Sequence, residues 1–124
     1  MRYLLLIGVD ETYERTLSDR EMQSLVGEYM KFGEAAAAAG VLVSGERLRP
    51  ADLATTVRVR NQKTLITDGP FAETKEMLGG FYILECRNLD EAIAWAARNP
   101  GARTGAIEVR PIWEREDYDP DRPA

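Results

Sequence analysis

Tyr3 to Val9 (YLLLIGV) is apolar almost without interruption and lacks three- or four-residue spacing. Such a run, apolar at both parities, predicts a strand covered on both faces. A polar connection, residues 10–17, follows. Met22, Leu25, Tyr29, Phe32 and Ala36 then recur at steps of three and four, the buried stripe of a helix. Ser18 and Glu21 have capping-box spacing at its start, and Gly40 can close it in the left-handed conformation. The helix is therefore predicted over about residues 18–39.

Val41 to Leu48 reads as a second strand and Arg49 to Asp52 as a loop. Residues 55–60 alternate Val57 and Val59 with Thr56, Arg58 and Arg60, a third strand. Asn61-Gln62-Lys63 makes a short link to a strand over 64–67. A helical turn is expected over Glu73 to Leu78, broken by Gly79-Gly80, before a strand over Phe81 to Cys86. Asn88 and Glu91 repeat the capping spacing. The helix they open should run to Arg98, with Leu89, Ile93 and Ala96 or Ala97 as its inner face and Pro100 beyond its end. Ala106 to Pro111 is the last strand, with Trp113 anchoring its end.

Helices that alternate with strands in this order can both cover one face of a mainly antiparallel sheet. The expected fold class is α+β: a ferredoxin-like βαββαβ domain with an extra hairpin. Two helices cover only one face, yet the first strand is apolar at both parities, and Tyr82 and Leu84 alternate with Phe81 and Ile83. The second face also needs cover, which predicts a homodimer packed sheet against sheet.

The totals narrow the function. A chain of 124 residues with 44% hydrophobic and 30% charged residues is one globular domain. No apolar run approaches the roughly 18 residues that span a bilayer, and Asp10 and Glu11 follow the first strand too soon for a signal peptide. One cysteine, Cys86, cannot form an internal disulfide. These features predict a cytoplasmic protein without a membrane span. The net charge is −5. Residues 114–124 hold five acidic and two basic side chains, −3 of that total, so 116–124 reads as an acidic tail on a nearly balanced body. No basic stripe exists to neutralise phosphates, which argues against direct nucleic-acid binding.

The densest chemistry lies in Asp68-Gly69-Pro70-Phe71-Ala72-Glu73-Thr74-Lys75-Glu76. Its plainest reading is a turn: Asp capping through its side chain, Gly allowing the bend, Pro fixing the exit and Phe71 plugging the core. Glu73, Lys75 and Glu76 then form a solvated turn. Alternatively, the loop borders a cleft, with Asp68 facing it and Lys75 receiving an anion. Glu46 and Arg47 end the second strand on opposite faces, so one of them faces a packed side and needs a partner. Arg58 could pair with Glu46 or Asp68. Glu46, Arg47, Arg58, Asp68 and Lys75 are thus the candidate ligand-binding residues, and Asp68 is the candidate catalytic carboxylate.

Other chemistry is excluded by the residues themselves. The chain has no histidine, the commonest general base and metal ligand. No cysteine pair makes a zinc site, no glycine loop fits a phosphate, and Asp117, Asp119 and Asp121 lack the rest of a calcium loop. Neither a metal nor another cofactor is expected. Glu85 beside Cys86 has the wrong sign to stabilise a thiolate.

The nonapeptide at 68–76, together with VLVSGERL (41–48), ATTVRV (54–59) and GGFYIL (79–84), resembles the DGPF branch of the YCII-related family over residues 1–115. The resemblance implies the same ferredoxin-like fold, in a dimeric α/β-barrel assembly. It also implies a His–Asp pair in the cleft and a dehydrochlorinase-like relative, but this chain lacks the imidazole, so that pair does not carry over. The branch's association with sigma factors implies a regulatory setting. The leading expectation is a dimeric small-molecule-binding or sensory module without catalysis, for a small polar or anionic ligand. The alternatives are an enzyme using a carboxylate such as Asp68 or Glu46, with Arg47 or Lys75 stabilising charge, and an interaction partner of a transcription factor.

Overall fold

The computed structural model describes residues 1–72 and 74–117. β1 (Arg2–Val9) is followed by a one-turn helix α1 (Glu11–Glu14) and the long helix α2 (Asp19–Ala38). Next come β2 (Leu42–Arg47), a 3-10 turn at Ala51–Leu53, and the hairpin β3 (Thr55–Arg60) and β4 (Lys63–Asp68). β5 (Met77–Glu85), α3 (Leu89–Arg98), the short α4 (Gly101–Thr104) and β6 (Ala106–Pro111) complete the domain. Four strands form an antiparallel sheet in the order β2-β5-β1-β6, and β3 and β4 form a separate two-stranded sheet. This is the ferredoxin-like order, and the chain is α+β.

Local chemistry accounts for the helix ends. The Ser18 hydroxyl accepts from the Glu21 amide at 3.1 Å, and Glu21 accepts from the Ser18 amide at 3.1 Å. α3 has only half of that arrangement. Asn88 accepts from the Glu91 amide at 2.9 Å, but the Glu91 carboxylate turns back to Arg87. α1 starts at Asp10, whose side chain accepts from the Tyr13 amide at 3.1 Å.

The register sorts the apolar strands into two faces. Tyr3, Leu5, Ile7 and Leu84 point toward the helices and are buried with Phe32 and Ala36 of α2 and Ala92, Trp95 and Ala96 of α3. Phe32 meets both Tyr82 and Trp95 edge to face, with centroids 4.9 and 6.1 Å apart. Leu4 and Leu6 pair with Ile83 and Phe81 on the opposite face, where no helix among the described residues covers them, and all four stay half-buried.

Several expectations need correction. α3 is rotated from the expected phase: Ala92, Trp95 and Ala96 are buried, while Leu89 and Ile93 lie outside. The large Trp95 ring claims the core, and Arg98 stacks over it at 4.2 Å. Among the described residues 74–78, no helical turn precedes Gly79-Gly80. β5 begins at Met77 and both glycines lie inside it. Phe71 does not plug the core; it is 82% exposed. The turn after Asp68 relies on Gly69 at φ +99, whose amide donates to Ala54 O at 2.8 Å. Thr56 Oγ1 donates to Gly69 O at 2.7 Å. The link between β3 and β4 is the Asn61-Gln62 pair, both at positive φ, which suits a tight hairpin. Trp113 is half-exposed and keeps contacts of its own. The end of β6 is also tied down by Glu114, which receives two bonds from Arg2 at 2.7 and 3.0 Å. The acidic tail expected at 116–124 falls mostly outside the described residues. No helix among the described residues is long and apolar enough to cross a membrane.

Candidate functional site

The two-helix layer leaves a cleft of about 520 Å³ at one end of the sheet. Ile7 and Val9 of β1, Leu25, Val26 and Tyr29 of α2, and Tyr82 of β5 form much of its wall. Arg47 ends β2 and pairs with Gly80, which in turn pairs with Ile7, so the guanidinium belongs to the helix-covered face. Glu14 of α1 borders the same cleft, where Arg47 favours its charged form. Pro50, Arg49 and Asp52 border the mouth. That loop is clamped to α1 by the Ala51 amide, which donates to Glu11 at 2.9 Å. Gly45 lets β2 pass under the Tyr82 ring: a Cβ there would sit 2.6 Å from the ring.

Burial sets the electrostatics. It pushes the Glu14 carboxyl up from the ordinary value; Arg47 opposes this, while Glu11 and Asp10 add to it. Burial also pushes the Tyr29 phenol up to about 12, with Glu14 assisting. Tyr82 moves the same way, opposed by the Asn99 amide. Both phenols are therefore neutral hydrogen-bond donors at neutral pH. The arrangement is an apolar cavity holding a cation, a carboxyl and two phenols, the mixture that orients a small oxygenated ligand.

The five residues expected from the sequence separate. Arg47 and Glu46 both border the cleft, but Glu46 pairs with Phe81 and belongs to the uncovered face. Lys75 lies in an adjoining recess of about 360 Å³ with Thr12, Thr74 and Met77, which shares Glu11 and Arg15 with the main cleft. Arg58 and Asp68 lie on the β3–β4 hairpin, outside both cavities. Glu14, Tyr29 and Tyr82 were not anticipated as site residues. Glu14 sat in a stretch read as connection, and the tyrosines read as core. The available signal was a hydroxyl on a core-facing position. Cys86 is buried, and burial together with Glu91 raises its thiol, which keeps it protonated. Among the described residues no group of three or more Cys, Asp or Glu side chains could hold a metal ion.

The model of the YCII-related domain matches residues 1–116. The chain belongs to the YCII-related family. An uncharacterised protein of Rhizobium meliloti (strain 1021) is 39% identical over 118 residues, 90% of this chain and 92% of the relative. Among solved structures, 5-chloro-2-hydroxyhydroquinone dehydrochlorinase from Burkholderia phenoliruptrix AC1100, in complex with 2,5-dihydroxybenzoquinone, superposes with a TM-score of 0.51 at 16% identity. That superposition covers 96% of this chain and all of the dehydrochlorinase. At that identity the likeness establishes the fold and no shared chemistry. The family assignment fits the YCII resemblance read from the sequence.

Proposed function

We propose that this YCII-related chain binds a small, oxygenated organic anion in the cleft between α2 and the sheet. The observation that carries this reading is Arg47 beside an apolar cavity of about 520 Å³, a size ordinary for small-molecule sites. Arg47 takes the anionic group, the apolar wall takes the body of the ligand, and the phenols of Tyr29 and Tyr82 meet its remaining oxygens. Lys75 offers a second cation to a ligand long enough to enter the adjoining recess. The chain acts as a homodimer in this proposal, because Leu4, Leu6, Phe81 and Ile83 form an apolar face that the described residues leave half-exposed. Arg58 and Asp68 take part only if a partner copy brings its hairpin to the cleft.

Glu14 supports a second reading, carboxylate-assisted proton transfer. A half-buried carboxyl whose proton is held more tightly by burial is suited to exchange a proton with a bound ligand.

The test is a thermal-shift screen with benzoate, phenylpyruvate, phenyllactate and 2,5-dihydroxybenzoquinone. At least one should raise the melting temperature in a saturable way, since a ligand that binds only the folded state stabilises it. The same ligand should raise Arg47→Gln far less. A flat response to every member of the panel contradicts the proposal.

A further inference from the structure

The β3–β4 hairpin turns its apolar side outward. Residues opposite one another in an antiparallel pair share a face. Val57, Val59 and Ile66 therefore lie on one face, and Thr56, Arg58, Arg60, Lys63 and Leu65 on the other. Within β3, Thr56 and Arg58 are half-buried, and Thr56 Oγ1 donates to Gly69 O at the hairpin base. Val57, Val59 and Ile66 are between 59% and 69% exposed. A strand with one shielded face normally does the opposite, with apolar side chains inward and polar ones outward. A two-stranded hairpin has little stability of its own and draws it from packing. This hairpin keeps six residue pairs in unbroken register, so its outward face calls for a surface to pack on.

Charge indicates what kind of surface. Residues 55–67 hold three of the chain's 16 basic side chains, Arg58, Arg60 and Lys63, and none of its 21 acidic ones. The hairpin therefore carries +3 and the rest of the chain −8. Among the described residues none of the three forms an ion pair, and Arg60 donates to the neighbouring Val59 carbonyl at 2.9 Å. A cationic arm suits a second acidic body of the same kind, whereas a nucleic acid or an anionic membrane would repel that body. The chain also presents a counterpart. The half-exposed strip of Leu4, Leu6, Phe81 and Ile83 is flanked by the exposed Glu46 and Glu108. Reach suffices as well. The hairpin segment leaves the sheet after Arg47 of the edge strand β2 and returns at Met77 of the neighbouring β5. Six extended residues measure about 20 Å, and the outer strands of a four-stranded sheet stand roughly 15 Å apart.

We propose that the hairpin is an exchanged arm: Val57, Val59 and Ile66 of each chain pack against the uncovered sheet face of a second copy, at the margin of the contact between the two sheets. This rests on the homodimer reading and adds to it a second contact that sheet-against-sheet packing alone would leave bare. Twofold symmetry uses the arm twice, once from each chain. The inverted patterning of β3 then has a cause, since the side turned away from its own domain is the side that meets the other. The positive charge of the arm draws it toward the acidic body it covers, so association should weaken as salt screens that attraction.

Sedimentation equilibrium of the full chain tests this. Val57→Thr combined with Ile66→Thr keeps β-branched side chains in the hairpin and removes apolar contact. Both positions are exposed, so the variant monomer should fold as the parent does. Its dimer Kd should be at least about tenfold higher than the parent's, because each lost contact counts twice in a twofold assembly. Leu65→Thr, on the other face of the same hairpin, should leave the Kd within about twofold of the parent's. Arg58→Gln combined with Lys63→Gln should weaken the dimer at low salt, and the difference should vanish by about 0.5 M salt. A parent dimer whose Kd is unchanged in Val57→Thr with Ile66→Thr, or is raised as much by Leu65→Thr, overturns the exchanged arm and leaves the homodimer standing. A parent that stays monomeric overturns both, and its co-sedimentation with phosphatidylserine vesicles would reassign the outward face to a membrane.

Discussion

The two faces of the four-stranded sheet are built from similar residues and differ in what surrounds them. On one face Tyr3, Leu5, Ile7 and Leu84 lie under α2 and α3 and are buried. On the other, Leu4, Leu6, Phe81 and Ile83 pair in the same register and remain half-exposed. Hydrophobic character alone therefore sets a demand for cover and does not say what meets it. The polar groups distinguish the faces further. Arg47, Glu14, Tyr29 and Tyr82 border a cleft on the covered face, where burial alters the acidity of three of them. The uncovered face offers Glu46, Glu108 and Arg110 around its apolar strip. Chemistry is expected on the first face and association on the second.

The largest expected effect separates core from periphery. Trp95→Ala should lower stability by about 3–5 kcal/mol, because a buried indole leaves a cavity and loses its packing on Phe32. Phe71→Ala should change the stability of a dilute sample by less than about 0.5 kcal/mol. Denaturant unfolding measures both. A Phe71 cost close to that of Trp95 would mean that the hairpin loop is covered in solution.

The uncovered face is tested by Leu6→Glu. The parent chain should sediment as a dimer at micromolar concentration, and the variant as a folded monomer, since a carboxylate in the middle of the apolar strip opposes its burial. A parent that sediments at 13.9 kDa breaks the comparison, leaving the second face bare. A smaller effect is expected at the floor of the cleft. Gly45→Ala places a Cβ 2.6 Å from the Tyr82 ring and should cost about 1–3 kcal/mol as the ring is displaced.

The smallest effects are pH-dependent. Glu14 is raised in the folded state, so the fold binds its proton more tightly than the unfolded chain does. Its contribution is present at low pH and is lost as pH rises from the ordinary carboxylate value through the raised one. Glu14→Gln should remove that decline. Tyr29 behaves similarly at alkaline pH, where its contribution is lost between about 10 and 12 and is absent in Tyr29→Phe. Thermal melts across both windows check the two signs.

How much of this was legible in the sequence follows from how local each signal is. The start of α2 was readable because Ser18 and Glu21 act on each other across three residues. The order of strands followed from periodicity. The phase of α3 was not readable, because Leu89, Ile93 and Trp95 compete for the core and the deciding partner, Phe32, is far away in the chain. Phe71 misled for a related reason: an aromatic after a turn reads as an anchor, but among the described residues it stays largely exposed. Arg47 was singled out from its place at a strand end, where parity forces either it or Glu46 toward a packed face, and it does border the cleft. Glu14 was not singled out because its place at the cleft, near enough to feel Arg47, depends on parts of the chain far apart in sequence.

The proposed ligand site is the cleft on the helix-covered face, with Arg47 at its edge. Calorimetric titration of phenylpyruvate into the parent chain, Arg47→Gln and Asp68→Asn tests it most directly. Saturable binding to the parent, a loss of at least about tenfold in Arg47→Gln, and unchanged affinity in Asp68→Asn are expected. Parent-like binding in Arg47→Gln, with the loss appearing in Asp68→Asn, would contradict it and move the site to the hairpin loop.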